Sequence, residues 1–383
     1  SFLSGGGGTA QPSGQVAQMA AMSQVGWLFA TVNRIAQSVA SNEWRLYAKA
    51  SRGDAREEID THPAKTLWLS ANEFITREDF LETSQQHMEL VGESWWVLVR
   101  NASGVPVEMQ VVRPDRMRPI PGSKPDDKFI LGYQYRLNAE SFDLDADDVI
   151  FTRSPSPLDP YRGIGVVQAM LVDLGAERAA AEWMRSFFDN SAEPGGIIEF
   201  PNGIQDVDFE RLRSRWNEQH RGTRNAHRVA ILERGKWVDR KLTQRDMQFE
   251  QLRKFERDQI IGAFGVPLPI MGITESVNRA NAEAAEVLYS RWVIRPRLRR
   301  IRAALNRKLL QLFPDGDRLE FDFDDPVPEN AEHNLSIAVQ GFERQLLTRN
   351  EARMHLGHGA RTAEDGDGDD FSGGMASSFG GSE

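Results

Sequence analysis

Between residues 16 and 41, apolar side chains recur every three or four positions: Met19, Met22, Val25, Phe29, Val32, Ala36 and Val39. That period lines one face of a helix, or of two helices in series. Trp44, Leu46 and Tyr47 then stand among polar residues in a strand-like run, and Gly53-Asp54 marks a hairpin-like turn. Pro63 opens a short helical stretch, and Thr76-Arg77-Glu78-Asp79 fits an N-cap with first-turn acids for a helix reaching Val91. Residues 94–100, 107–112, 129–137 and 149–153 are β-prone, with Asn101 to Gly104 a turn between the first two. The first third therefore predicts an α+β unit.

The middle of the chain changes character. Residues 166–190 predict a long helix with Met170, Leu171, Leu174, Ala181, Met184 and Phe188 on one side, stopped by Pro194-Gly195-Gly196. A strand at 197–200, a helix at 207–220, strands at 228–232 and 236–242 and a helix at 248–264 follow. Ile294, Leu298, Ile301, Leu305, Leu309 and Leu312 then form one continuous stripe in a helix over 278–312. Pro296 lies inside it, removes a hydrogen bond, and predicts a kink near residues 292–296. A strand at 319–323 and two small helices, 334–347 and 349–356, complete the pattern. Gly, Ser, Gln and Pro dominate the first fourteen residues, and acids join Gly and Ser after residue 363, so both ends read as flexible arms.

Composition narrows the chemistry. The chain has 383 residues and no cysteine, which removes disulfides, thiolate metal sites and cysteine nucleophiles. The longest apolar runs, near 25–32 and 266–273, fall short of the roughly 18–20 residues of a spanning helix. No base precedes Arg34 and no apolar run precedes a cleavage-type site, so no secretory leader is expected. The net charge is −10, of which the tail after Arg361 carries −6 and the rest of the chain only −4. A nearly balanced body argues against a tight, sequence-blind grip on duplex DNA, which needs clustered Lys and Arg.

Catalytic patterns are mostly missing. Gly163-Ile164-Gly165 matches part of a dinucleotide fingerprint, but Gln168 stands at the third glycine and a tight turn explains the pair better. There is no P-loop and no Gly-x-Ser-x-Gly elbow. Asp365, Asp367 and Asp369 begin like a calcium loop that Asp370 and Ala376 then fail to continue. His355 and His358 stand beside Gly357 and Gly359, where a helix is ending, so neither a metal site nor a cofactor is expected. Asp322, Asp324 and Asp325 are the best candidates for a Mg²⁺ cluster in a nuclease, although Pro326 and Pro328 suggest a strand exit. Arg291, Arg295, Arg299 and Arg302 share a face of the densest basic segment, with Glu283, Glu286 and the acids near Asp322 as partners in a solvated or acid-paired reading. The sharper readings of that face are contact with nucleic acid and an intersubunit ion-pair belt.

In that order and over residues 16–356, a set of strings resembles the portal proteins of tailed bacteriophages, of the siphovirus type with lambdoid capsid folds that gene transfer agents also carry. The carrying strings are Asn33-Arg34-Ile35-Ala36 before Trp44-Arg45-Leu46-Tyr47, Gly92-Glu93-Ser94-Trp95-Trp96, and Asp159-Pro160-Tyr161-Arg162-Gly163. Pro194-Gly195-Gly196-Ile197-Ile198 and Asn225-Ala226-His227-Arg228 before Leu232-Glu233-Arg234-Gly235 continue the series. Asp246-Met247-Gln248-Phe249, Ala263-Phe264-Gly265-Val266-Pro267 and residues 278–286 ahead of Arg295-Pro296 are the most specific.

The resemblance implies an α+β portal fold with a wing, a helical stem, an α/β clip and a helical crown, closed into a cyclic ring of about twelve subunits. It implies a non-enzymatic channel at one capsid vertex through which double-stranded DNA is packaged by the large terminase and later ejected. Head-completion or adaptor proteins and the major capsid protein would be partners, with no membrane, in a virion assembled in the host cytoplasm. On this sequence it places an arm at 1–15, the wing at 16–165, stem helices at 166–196 and 243–267, and the clip at 197–242. A channel loop would occupy 268–281, the kinked wing helix and strand 282–329, the crown 330–362 and the acidic tail 363–383. Ile273, Thr274, Glu275, Ser276, Val277 and Asn278 would line the narrowest bore, and Arg291, Arg295, Arg299 and Arg302 would meet a neighbouring subunit or DNA. The rival functions are another head–tail adaptor or a nucleic-acid-processing enzyme.

Overall fold

The computed structural model describes residues 12–49, 56–124, 126–190, 196–199, 236–239, 244–274, 279–328 and 331–358, with 210, 211 and 214. The Gly53-Asp54 turn, the 228–232 strand, residues 275–278 and the acidic tail lie outside the described residues.

Two helices in series open the fold, α1 (Pro12–Gln24) and α2 (Gly26–Ala40). The first reaches into the stretch read as an arm. On α2, Leu28, Val32, Ile35, Ala36 and Val39 are buried at the three-and-four spacing of the sequence pattern. Strand β1 (Trp44–Ala48) pairs with β2 (Glu57–Glu58). Helix α3 (Pro63–Leu69) leads to α4 (Arg77–Val91). The α4 cap is a full capping box: the Asp79 amide donates to Thr76 Oγ1 at 3.1 Å, and the Asp79 carboxylate accepts from the Thr76 amide.

Strand β3 (Glu93–Arg100) is flanked antiparallel by β4 (Pro106–Val112) and β8 (Val149–Arg153). A second sheet orders β5 (Met117–Pro121), β6 (Ile130–Leu137) and β7 (Glu140–Asp145). Helices α5 (Val166–Ala169) and α6 (Leu171–Asn190) leave this body, with a break at Met170 where the sequence predicts one helix. Strands β9 (Gly196–Glu199) and β10 (Lys236–Asp239) pair antiparallel, and α7 (Gln244–Ala263) returns.

The predicted kink takes the form of a widened turn. Arg279–Leu288 is α-helical, Tyr289–Ile294 is π-helical, and Arg295–Ala304 is α-helical again with Pro296 in its first turn. The proline cannot donate to a carbonyl one turn back, and a π turn absorbs that missing bond without ending the helix. Strand β11 (Leu319–Phe323) then returns to pair with β1, Trp44 opposite Phe323. Helices Ala331–Glu343 and Arg349–His355 follow.

A small cluster of Trp95, Met117, Tyr133 and Val149 holds the β5–β7 sheet, and a main core joins the helices to β1, β3 and β11. Trp68 packs edge-on to Trp44 at 5.3 Å and tilted against Trp96 at 5.9 Å, and Phe80 closes on Trp96. The stripe residues Leu298, Ile301, Leu305 and Leu309, with Ile260 and Ile261 of α7, join the same cluster. Burying each of these large side chains contributes about 1.5–3 kcal/mol, so this shared core anchors the protruding helices.

Candidate functional site

Two of the strings that carry the resemblance, 69 residues apart, meet inside the molecule. Glu93 at the start of β3 has no solvent exposure, and Arg162 is 5 % exposed. Glu93 Oε1 accepts from Arg162 Nε at 2.8 Å and from the Gly163 amide at 2.7 Å. Its other oxygen accepts from Trp95 Nε1 at 3.2 Å and from Gln15 Nε2 of α1 at 3.3 Å. Arg162 also donates to the Met117 carbonyl of β5. Burial pushes the Glu93 carboxyl above its usual range, against the pull of Arg162 and the Gly163 amide.

The glycines around this pair serve backbone contact. Gly92 ends α4 at φ +80, and a Cβ there would sit 2.2 Å from the Ile164 carbonyl carbon. A Cβ on Gly163 would sit 2.1 Å from the Gly92 carbonyl oxygen. Gly163-Ile164-Gly165 is thus a turn locked against the end of α4, which accounts for the glycines of the partial nucleotide fingerprint. Residues 154–165 are clamped to the body where the chain enters α5 and α6.

Next to that exit, α6 and α7 face each other through acids. Glu177 accepts from Arg253 Nη2 at 3.1 Å. Glu177 Oε2 and Glu256 Oε2 are both buried and accept from no other residue. Burial, and then a hydrogen bond to the neighbouring Glu177, push Glu256 up to about 7. No sequence pattern signals this carboxyl pair, since its members lie on helices remote in the chain.

After α7, Gly265 at φ +73 and Gly272 at φ +78 bracket a single 3₁₀ turn, Leu268–Met271, and Ile273 donates back to the Leu268 carbonyl. Ile273 and Thr274 are described; Glu275, Ser276, Val277 and Asn278 lie outside the described residues.

The basic helix is partly committed within the chain. Arg302 pairs with Asp322 and Arg295 with Asp325, both at 2.8 Å. Arg297, half-buried, forks onto the buried Glu89 of α4 at 2.6 and 2.8 Å. Arg291 and Arg299 are exposed, with no ion pair among the described residues.

The suspected metal cluster does not assemble. Asp322 is held by Arg56 and Arg302, Asp324 by Arg45, and Asp325 by Arg295, so each carboxylate already has a guanidinium. The flanking cations hold the Asp322 carboxyl below its usual range, although burial opposes them. Among the described residues no group of three metal-ligating side chains converges. No described helix is long and apolar enough to cross a membrane.

A family model described as phage portal protein matches residues 27–357. The chain belongs to the phage portal protein family. Members of this family are structural, non-enzymatic parts of the capsid. It is 25 % identical over 350 residues to a probable portal protein of Streptomyces phage phiC31, covering 86 % of this chain and 74 % of the relative. It is 22 % identical to the portal protein of Enterobacteria phage HK97, covering 76 % of this chain and 66 % of that one. Among solved structures, it is 26 % identical to a chain in the neck of a native gene transfer agent particle computed with C12 symmetry. That alignment covers 91 % of this chain and 95 % of the other, with a TM-score of 0.71. The family match makes this chain a portal protein of the DNA-packaging channel.

Proposed function

We propose that twelve copies of this chain close into a ring at one capsid vertex, and that double-stranded DNA enters through its centre during packaging and leaves through it on ejection. The observation that carries the stoichiometry is the likeness, across nine-tenths of the chain, to a gene transfer agent neck with C12 symmetry. The large terminase and a head-completion or adaptor protein would dock at the clip, and the major capsid protein at the wing. Assembly would take place in the host cytoplasm before incorporation into the virion. Residues 273–278 would narrow the bore, because they join the proline-terminated segment after α7 to the interrupted helix. Of the four arginines proposed for a neighbour or DNA, Arg291 and Arg299 are the pair with no ion pair among the described residues, while Arg295 and Arg302 hold acids of their own chain.

The test is assembly of the purified full chain. Negative-stain imaging should show closed rings with an open centre, and native mass measurement should give twelve copies. A species that stays monomeric at all concentrations would refute the proposal.

A further inference from the structure

Helices α6 and α7 form a pair with two outward faces of opposite shape. On α6, Val172, Gly175, Ala179 and Glu182 are exposed at spacings of three, four and three. On α7, Leu252, Phe255, Gln259 and Gly262 are exposed at the same spacings. Both sets trace continuous helical stripes. Each stripe turns roughly away from the face through which the two helices touch, marked by Glu177 on α6 and by Arg253 and Glu256 on α7.

The α6 stripe is a groove. A Cβ added at Gly175 would meet nothing within 4 Å, and Ala179 continues the low profile. The α7 stripe is a ridge, with Phe255 58 % and Leu252 46 % exposed. Val172, at the foot of the groove, is 83 % exposed. Apolar side chains so open, aligned on one helix face, call for a partner.

The heights match as well as the shapes. The Arg253–Glu177 ion pair, 3.1 Å between side-chain tips, brings their two helical turns together and serves as the reference height. Phe255 lies two residues from Arg253 towards the body and Gly175 two residues from Glu177 in the same direction, about 3 Å in each case. By the same reckoning Leu252 stands within about 1.5 Å of the height of Ala179. A ring generated by rotation keeps every copy at one height, so groups level within one copy are level across its interface when the helices run along the ring axis. A rotational ring also demands two different patches that fit each other, and this pair of helices carries one on each edge.

We infer that Leu252 and Phe255 of one copy seat in the Gly175–Ala179 groove of the next, making the stem the knob-and-groove contact of the ring. The occupant is a second copy of this chain, and the inference rests on the ring proposed above. Only a side chain as small as glycine at 175 leaves room for a phenyl ring between two helices.

The full-length chain allows a direct test because it contains no cysteine. In Gly175→Cys with Phe255→Cys, oxidation of assembled rings should give a ladder of covalent multimers on a non-reducing gel, and either single variant should give none beyond dimer. In parallel, Gly175→Leu should raise the helix stability of the protomer, since leucine is the better helix former, while lowering the ring fraction at fixed concentration at least tenfold. Phe255→Ala should also lower it, and Gly175→Leu combined with Phe255→Ala should return it to within about threefold of the parent, a gap of roughly 0.65 kcal/mol. Rings in the parent but no ladder, or normal rings in Gly175→Leu, would overturn the stem contact alone. A parent that never forms rings would overturn the ring and the contact together.

Discussion

Replacing Arg162 with methionine removes the one cation that faces the fully buried Glu93 among the described residues, and the structure sets the size of the effect. The Gly163 amide, Trp95 indole and Gln15 amide remain as donors, so the carboxylate keeps hydrogen bonds but loses its countercharge. Breaking one half of a buried ion pair costs about 3–5 kcal/mol. Proton uptake limits the loss: protonating a carboxyl of ordinary pKa about 4.3 at pH 7 takes roughly 3.7 kcal/mol, at 1.36 per unit. The variant should therefore be about 3–4 kcal/mol less stable than the parent at pH 7.

That deficit has a sign in pH. With its partner gone, the folded Glu93 pKa lies well above the unfolded value, so its stability contribution is present at low pH and is lost as pH rises. The deficit should shrink by up to about 2.7 kcal/mol between pH 7 and pH 5. Urea unfolding below the assembly concentration, followed by tryptophan fluorescence with Trp95 beside the site, measures both quantities. A second variant carrying Glu93→Gln with Arg162→Met removes the buried charge and should recover at least 1 kcal/mol over Arg162→Met alone. A pH-independent deficit, or one under about 1 kcal/mol at pH 7, would refute the reasoning.

The Glu256 carboxyl, pushed up to about 7 by burial and by Glu177, should hold α6 against α7 while protonated; its contribution is complete below the ordinary glutamate range and is lost as pH rises through about 7. Asp173 adds to the push and Arg253 opposes it, so hydrogen exchange in α6 and α7 should quicken from pH 6 to pH 8, and Glu256→Gln should flatten that change; an unchanged profile in the variant would count against the shared proton. Deleting residues 274–276 should leave ring assembly intact while DNA packaging or retention falls at least tenfold; normal packaging would remove these residues from the bore.

Much of the fold was legible because it is local. The stripes of α2 and of the helix over 279–312 come from single-face burial, and the α4 start comes from Thr76. Strand β5 was not legible, since Pro119 and Pro121 argue against a strand; it survives as a sheet edge, where missing donors cost little. Strand β7 is mostly exposed and acid-rich, so it lacks the alternation that marks a half-buried strand. The pairing of β1 with β11 and the bonds Glu93–Arg162 and Glu89–Arg297 join residues remote in sequence, which no periodicity encodes. The strings holding Glu93 and Arg162 stand out in the sequence by resemblance alone; only the fold brings them into contact.

The ion pairs bear on how such a channel treats its cargo. Arg45, Arg56, Arg295 and Arg302 are occupied by the acids of β11 and the residues just after it, and Arg162 and Arg297 by buried glutamates. A guanidinium bound to a carboxylate of its own chain is a poor ligand for phosphate, because taking up DNA would first break that pair. Each phosphate neutralised by a protein steepens the salt dependence of duplex binding by about 0.9 in log–log slope, and a channel that made many such contacts in each of twelve copies would grip DNA. In the proposed ring, the same pairing that commits Asp322, Asp324 and Asp325 to guanidinium groups would also leave fewer cations free to hold a passing duplex. Internal charge pairing would thus serve the proposed conduit, since the cations that would otherwise slow the duplex are already held by acids of their own chain.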